Sequence, residues 1–385
     1  MTDFIFQTTP RVICQTGGLA RVGELMAGLG VSRAIVVCDA GIVACGFADR
    51  AVSSLKTAGL VGTVFDQVQA DPPVGVVRAA IEAARAFGAD GVIGLGGGSS
   101  LDTAKLVALM VRSEQKIEEL YGTDMARERR LPLIQVPTTA GTGSEVTWVS
   151  VVTSEANEKN AIYSSQLLPD MALLDAELTL GMPPRVTAAT ALDAMVHAIE
   201  AYTSRTRKNV VSDALAVKGL ELLGANIRRV VADGSDIEAR SAMLQGSMLA
   251  GIAFVNASVA AVHALSYPLG ARFHVPHGHS NALVMAPVFR FNMPVAMKAY
   301  AELAVHLRPG RRFAGDAEAA EIFVSELEQL VASVGLETRL SQVGVTDADI
   351  PDMAREVTVR IQRLLANNPR DMSFDDVISI YQAVL

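Results

Sequence analysis

From the N terminus to Met182, short apolar runs alternate with amphipathic stretches. Residues 34–38 read as a buried strand and 47–60 as a helix. Residues 61–65 then read as a strand, 74–87 as a helix, 91–95 as a third strand and 99–111 as a helix. Strands of period two separated by helices of period 3.6 predict a mainly parallel sheet covered by helices on both faces. Ligands of such a sheet belong at the carboxyl ends of its strands. After Pro183-Pro184 the pattern changes. Apolar residues recur at helical period through 185–204, 210–231, 238–256, 258–271, 281–291, 317–334 and 374–385, with no strand pattern between them. The prolines end the strand-rich part, so the expected organisation is an α/β domain over 1–182 and an all-helical domain over 183–385. No internal repeat, low-complexity tract or long linker interrupts it.

The uncharged run 241–271 is long enough to span a bilayer. Gln245, Asn256, Ser258 and His263 break it, and Asn-Ala-Ser at 256–258 reads as a helix junction with a capping residue. Two buried core helices are therefore expected there, and no membrane partner. With 385 residues, half of them hydrophobic, the chain can bury the cores of two domains. Its formal net charge of −8, without a long basic run, excludes the electrostatic footprint of a nucleic-acid binder. Three cysteines, Cys14, Cys38 and Cys45, lack CxxC spacing, and the N terminus lacks the charged start and apolar core of a signal peptide. Both features point to the reducing cytoplasm.

Candidate chemistry begins at Gly96-Gly97-Gly98-Ser99, which follows one predicted strand and opens a helix. There, backbone N–H groups at a positive helix end can approach a pyrophosphate, and no Cβ blocks the way. The alternative is an ordinary glycine-rich turn. Asp39 ends the first clear strand, where an acid can accept both hydroxyls of an adenosine ribose and repel a 2'-phosphate, favouring NAD over NADP. In the usual dinucleotide fingerprint the acid follows the glycine loop, whereas Asp39 precedes it; capping the next helix is the other reading. Pro137-Thr138-Thr139-Ala140-Gly141-Thr142-Gly143-Ser144-Glu145 also follows a strand, and its hydroxyls can donate to phosphate and to a nicotinamide amide unless it is simply a solvated loop.

In the helical half, Asp193 and His197 stand four apart on one face of a markedly apolar helix. A carboxylate is costly to bury alone, and a divalent cation shared with the histidine is one remedy; an intrahelical hydrogen bond is the other. Four of the six histidines, His263, His274, His277 and His279, then fall within one short segment. One carboxylate and three imidazoles would suit Fe(II) or Zn(II), with room for an exogenous oxygen.

Asp193-Ala-x-x-His197-Ala-Ile-Glu, His263-x-x-x-Tyr-Pro-Leu-Gly and Pro276-His277-Gly resemble the iron-containing, group III alcohol dehydrogenases. Gly96-Gly-Gly-Ser99, Asp102-x-x-Lys105 and Pro137-Thr-Thr-Ala-Gly-Thr142-Gly-Ser-Glu145 extend the resemblance over most of the chain, in the family's order. It implies a dehydroquinate-synthase-like fold: a Rossmann-like α/β nucleotide domain followed by an all-α domain. It implies metal ligation by Asp193, His197, His263 and His277. It also implies NAD contacts at Asp39, Gly96, Gly97, Gly98, Ser99, Asp102, Thr138, Thr139, Thr142, Val151 and Lys159, the last across a small alignment gap. The implied metal is Fe(II), with Zn(II) the alternative, and the implied assembly is a homodimer or larger homo-oligomer.

Two positions depart from the family pattern: Tyr267 stands where many members carry a second histidine, and Asp71 where they carry asparagine. The implied reaction is hydride transfer between NAD and a small alcohol/aldehyde pair, with the hydroxyl activated by the metal. The alternatives within the fold are a hydroxy-acid dehydrogenase or oxo-acid reductase, and a lyase resembling dehydroquinate synthase; a non-catalytic nucleotide- or metal-binding protein is a fourth reading. Small apolar residues at 250–254 and 259–264 favour short uncharged alcohols, whereas Arg272 would favour a hydroxy acid if it faced the substrate.

Overall fold

In the computed structural model, which describes residues 3–155 and 158–385, the strands are β1 (Arg11–Cys14), β2 (Arg33–Val37), β3 (Val61–Phe65), β4 (Gly91–Gly96), β5 (Gly122–Thr123), β6 (Leu133–Pro137), β7 (Val149–Thr153), β8 (Lys159–Tyr163) and β9 (Met171–Leu174). Six of them form one parallel sheet in the order β1-β9-β6-β4-β2-β3. The helices beside it are α1 (Val22–Gly28), α2 (Ala40–Ala44), α3 (Phe47–Thr57), α4 (Val74–Phe87) and α5 (Gly98–Met110).

The central strands are almost wholly apolar because both faces are covered, with Gln135 of β6 the buried exception and Arg33 exposed at the start of β2. Ile35 and Val37 of β2, Val92 of β4 and Leu133 of β6 enter one core with α4 and α5. Their neighbours Ala34, Val36, Ile93 and Ile134 enter the opposite core with α1 and α3. This two-residue alternation between two dry faces is what a buried parallel sheet requires.

The expected strand 61–65 and helix 74–87 coincide with β3 and α4, and the other expected elements of this half shift by a few residues at their ends. Five strands escaped the pattern. β1 is a four-residue edge strand, largely exposed, with no buried face to reveal it. β9 is only four residues long. β7 and β8 pair antiparallel, and with β5 they make a separate three-stranded sheet whose alternation is only half buried.

The helical half comprises α6 (Pro184–Thr203), α7 (Val210–Ala232), α8 (Ile237–Ala257), α9 (Ala261–Phe273), α10 (His277–Leu307), α11 (Asp316–Ser333), α12 (Ile350–Arg360), α13 (Gln362–Asn367) and α14 (Phe374–Ala383). Proline at its first position starts α6, and from Thr187 onward nearly every residue is buried, which marks a helix enclosed on all sides. α10 runs through Pro287 and Pro294, which is why the sequence pattern broke off near 291. The chain divides into two compact units: Gln7–Gly181, and Met182–Leu385 with the segment ending at Phe6.

α8 and α9 are mostly buried and meet at an angle of 106°. Among the described residues, no single helix is long and apolar enough to cross a membrane. The expected side-chain cap at 256–258 is absent. Ser258 instead closes α8 with a positive φ of 77°, and the N-cap of α9 is Ala260, which has no side-chain donor or acceptor to offer. Glu200 of α6 reaches across to this helix start.

Candidate metal centre and nucleotide-binding loops

One turn of α6 puts Asp193 and His197 on the same face, and the starts of α9 and α10 bring His263 and His277 to it. The Nε2 atoms of His277, His263 and His197 lie 3.6, 3.7 and 3.9 Å from Asp193 Oδ1. The donor atoms of Asp193, His263 and His277 all fall within 4.8 Å of one another. The His197 ring stacks on His263 on one side, with centroids 4.7 Å apart, and on Phe254 on the other at 4.2 Å. Asp193 and His263 have side chains 3% exposed, whereas His277 is 33% exposed, so the cluster is open at His277.

Burial opposes ionisation of Asp193, but His197, His277, His263 and the Asn281 amide outweigh it and hold the carboxyl below the usual range. Asn281 Nδ2 donates to Asp193 Oδ1 at 2.7 Å and faces His263 Nε2 at 3.2 Å and His277 Nε2 at 3.4 Å. The donor atoms of Asp193, His263 and His277 form the mutually close set that fits a divalent cation, and His197 approaches it through Asp193 Oδ1 at 3.9 Å. Two donors about 2.1 Å from one tetrahedral cation lie about 3.4 Å apart, close to the spacing found here. One carboxylate with imidazoles is the mixed N/O chemistry that Fe(II) and Zn(II) accept.

Gly278 permits this convergence. A Cβ there would lie 2.2 Å from the Ala189 carbonyl oxygen on α6 and 3.2 Å from Asp193 Cβ. The neighbouring histidines are engaged elsewhere: His279 is buried with Nε2 3.2 Å from the Glu337 carbonyl oxygen, and exposed His274 closes α9 with a φ of 54°. Arg272 is ion-paired with Glu356 at 3.1 Å.

Sequence reasoning gave no role to two members of the cluster, Glu200 and Asn281. Glu200 accepts from the N–H groups of Ala260 at 2.8 Å and Val262 at 2.7 Å, and its Oε2 lies 2.7 Å from His263 Nδ1. The signal for Glu200 was present: an acid seven residues after Asp193 and three after His197, on the same apolar face. Asn281 carried none, because an asparagine one turn beyond His277 reads equally well as a surface residue.

In the unit Gln7–Gly181, β4 runs into Gly96, whose φ of 147° favours glycine and whose Cβ would meet Ser100 Oγ at 2.7 Å. Gly97 begins α5 without a side-chain cap, so the first-turn N–H groups of Gly98 and Ser99 are not taken by a capping side chain. Thr138 N–H donates to Gly96 O at 2.9 Å, and a Cβ at Gly98 would come 2.8 Å from Thr142 Cγ2. Thr139 borders Gly97, so the glycine and threonine loops form one surface.

Asp39 caps α2: its Oδ1 accepts from Gly41 N–H at 2.9 Å and Ile42 N–H at 3.3 Å, and its Oδ2 accepts from Ser100 Oγ at 3.3 Å. Both the capping reading and proximity to the glycine loop hold for this residue. Asp102 serves the protein interior, accepting from Ser144 Oγ at 2.5 Å and Val151 N–H at 2.9 Å. Lys105 is fully buried and donates to Ser144, Thr147 and the Val149 carbonyl at 2.7, 3.0 and 2.8 Å. Lys159 Nζ contacts Asp71 Oδ1 at 2.8 Å, and Asp71 takes a left-handed φ of 48°. Asparagine adopts this backbone readily, as does aspartate.

Residues 9–176 match the family described as "Iron-containing alcohol dehydrogenase", and residues 187–385 match "Fe-containing alcohol dehydrogenase family, C-terminal". The chain is 39% identical over 370 residues to long-chain-alcohol dehydrogenase 1 of Geobacillus thermodenitrificans, covering 95% of this chain and 93% of that protein. The solved structure of a 1,3-propanediol oxidoreductase superposes with a TM-score of 0.96 at 32% identity over 100% of both chains. That of the sulfoacetaldehyde reductase of Bifidobacterium kashiwanohense, in complex with NAD+, gives 0.89 at 28% identity over 100% of this chain and 99% of that one. Matched along both halves, the chain belongs to the iron-containing alcohol dehydrogenase family and is an oxidoreductase of that family.

Proposed function

We propose that the chain transfers hydride between NAD and short uncharged primary alcohols or diols and their aldehydes. Asp193, His197, His263 and His277 would hold one divalent metal, Fe(II) in the cell. The observation that carries this is the set of three imidazole Nε2 atoms 3.6–3.9 Å from Asp193 Oδ1. When bound, the cation supplies Lewis acidity, which makes an alcohol hydroxyl easier to deprotonate and a carbonyl easier to reduce. In the oxidative direction the carbinol carbon gives hydride to NAD+ and the hydroxyl gives up its proton, leaving aldehyde, NADH and H+.

The chain's own residues would bind and orient the reactants. The open first turn of α5, with the Thr138, Thr139 and Thr142 hydroxyls, offers donors to the pyrophosphate and nicotinamide amide. Val151 and Lys159 complete the expected contacts. Asp102 would act through the loops that it braces. Asp39, already fixed by its capping bonds, offers a carboxylate that suits ribose hydroxyls and repels a 2'-phosphate.

Uncharged substrates are favoured because Arg272 is spent on Glu356 and Phe254 presents an apolar ring beside His197. Relatives act on both kinds of compound by name, a long-chain alcohol in one and sulfoacetaldehyde in another. A cytoplasmic homo-oligomer completes the proposal.

The test is anaerobic purification with metal analysis, then an NAD-coupled screen of alcohols, diols and hydroxy acids on the parent protein and His277→Ala. One metal per chain, loss of metal and turnover in the variant, and near-normal NAD binding are expected. Full metal content in the variant moves the site elsewhere. A higher kcat/KM for a hydroxy acid than for any ethanol- to butanol-sized alcohol sinks the substrate class.

A further inference from the structure

Glu200 holds a buried carboxylate, with a side chain only 2% exposed, against the helix start that carries His263. A helix start is normally capped by a serine, threonine, aspartate or asparagine at the N-cap itself. Here the N-cap is Ala260, and the acceptor comes from a residue 60 positions earlier. Oε1 accepts from Val262 N–H, and Oε2 accepts from Ala260 N–H. Each oxygen thus faces a backbone donor that can never accept, so both serve as acceptors. The third partner, His263 Nδ1 at 2.7 Å from Oε2, must then be the one that donates.

The far side of the same ring is compatible with this tautomer. Asn281 donates one amide hydrogen to Asp193 Oδ1 at 2.7 Å, and its other is open to His263 Nε2 at 3.2 Å or His277 Nε2 at 3.4 Å. With the proton on Nδ1, the Nε2 lone pair is left facing Asp193 Oδ1 at 3.7 Å and the His277 side of the cluster.

We propose that Glu200 is a positioning residue: it fixes His263 as the Nδ1–H tautomer and clamps the first turn of α9, so that Nε2 is presented to the metal set before any metal arrives. This rests on the reading that Asp193 and the three histidines hold a divalent cation. A carboxylate behind a ligating imidazole orients the ring and raises its basicity, and losing such a partner typically costs about 10- to 100-fold in metal affinity.

The two duties of Glu200 can be separated by substitution. Glu200→Met keeps the bulk and removes every acceptor. Glu200→Gln keeps one acceptor oxygen, which can still take the His263 proton and Ala260 N–H, but it turns an NH2 group against Val262 N–H. The expected pattern is a lowered melting temperature in both variants, with the histidine tautomer lost only in Glu200→Met. Loss of Co(II) to a chelator should be about 10- to 100-fold faster in Glu200→Met. Glu200→Gln should restore most of the retention. A merely structural cap would instead make retention follow melting temperature across the series.

The measurement is nitrogen-15 NMR of the histidine rings in the metal-free protein, assigned by loss of the His263 signals in His263→Gln. An Nε2–H tautomer at His263 in the parent overturns the proposal without any Glu200 variant. So does a folded Glu200→Met that keeps the Nδ1–H tautomer and parent-like Co(II) retention. Co(II) titration of the parent reads the metal assignment by itself: absence of stoichiometric binding sinks that assignment, while the ring tautomer still decides the role of Glu200.

Discussion

Burial pushes the Glu145 carboxyl up to about 7, against the smaller opposing pulls of its own backbone amide and the Lys105 ammonium. Lys105 is shifted down by the same burial, opposed mainly by Asp102. Because the folded pKa of Glu145 lies above its ordinary value of 4.5, the folded state binds more protons between these two values. Its contribution to stability is therefore full below about pH 4.5 and is lost as pH rises through about 7. Glu145→Gln cannot titrate, so between pH 4.5 and 8 the parent should lose on the order of 2 kcal/mol more unfolding free energy than the variant. Urea unfolding at both pH values reads this directly, and parallel profiles for the two proteins would sink it. Asp193 is the contrast: equally buried, it is held in the opposite direction because basic and donor groups surround it. From the sequence the two acids differ only by one methylene and in their neighbours along the chain. What separates them is which side chains the fold brings to them.

Helix placement makes the proposed metal set a matter of close packing as much as of ligand type. A Cβ on Gly278 would stand 2.2 Å from the Ala189 carbonyl oxygen and 2.7 Å from its carbon, both backbone atoms that cannot swing aside. Gly278→Ala must therefore part α10 from α6 by about 1 Å to restore van der Waals contact, carrying His277 away from Asp193. The expected outcome is a loss of roughly 1–3 kcal/mol of stability, as for an overpacked core. Reduced metal per chain should accompany it, because the displaced residue adjoins the proposed ligand His277. Parent-like metal content and melting temperature in Gly278→Ala would show that the two helices have slack. The Pro276-His277-Gly motif was legible in the sequence, but the reason for its glycine was not, since the carbonyl that it faces comes from a helix 89 residues earlier. The start of α9 was misread for a similar reason. The Asn-Ala-Ser junction at 256–258 was expected to hold the capping residue, yet the acceptor is supplied by Glu200 from another helix, which periodicity and capping rules do not see.

Across the whole chain, the change from alternating elements to helical period near Pro183-Pro184 is where strands give way to helices, with β9 ending at Leu174 and α6 starting at Pro184. That much was legible because burial on two faces of a sheet and along a helix leaves different periods in the sequence. The exposed edge strand β1 and the small second sheet left no such trace. Asp102 was expected to contact the nucleotide because of its motif, and its partners Ser144, Val151 and Lys105, which no periodicity reveals, brace the loops beside it. The proposed ligands are divided between the two compact units: nucleotide loops in Gln7–Gly181, and metal donors in Met182–Leu385. Each ligand should therefore protect a different part of the chain. A ligand present at 100 times its dissociation constant stabilises by about 2.7 kcal/mol. Local openings that expose its contacts should be suppressed accordingly. In amide hydrogen exchange, Co(II) added to the metal-free protein should slow exchange at the starts of α9 and α10 and around Asp193 on α6. NAD should slow it around Asp39, the start of α5 and the loop from Thr138 to Thr142. Treatment with a chelator should reverse the first pattern and spare the second. Metal-dependent protection confined to the unit Gln7–Gly181, or NAD protection absent from the glycine and threonine loops, would show that one of these assignments lies in the wrong half of the chain.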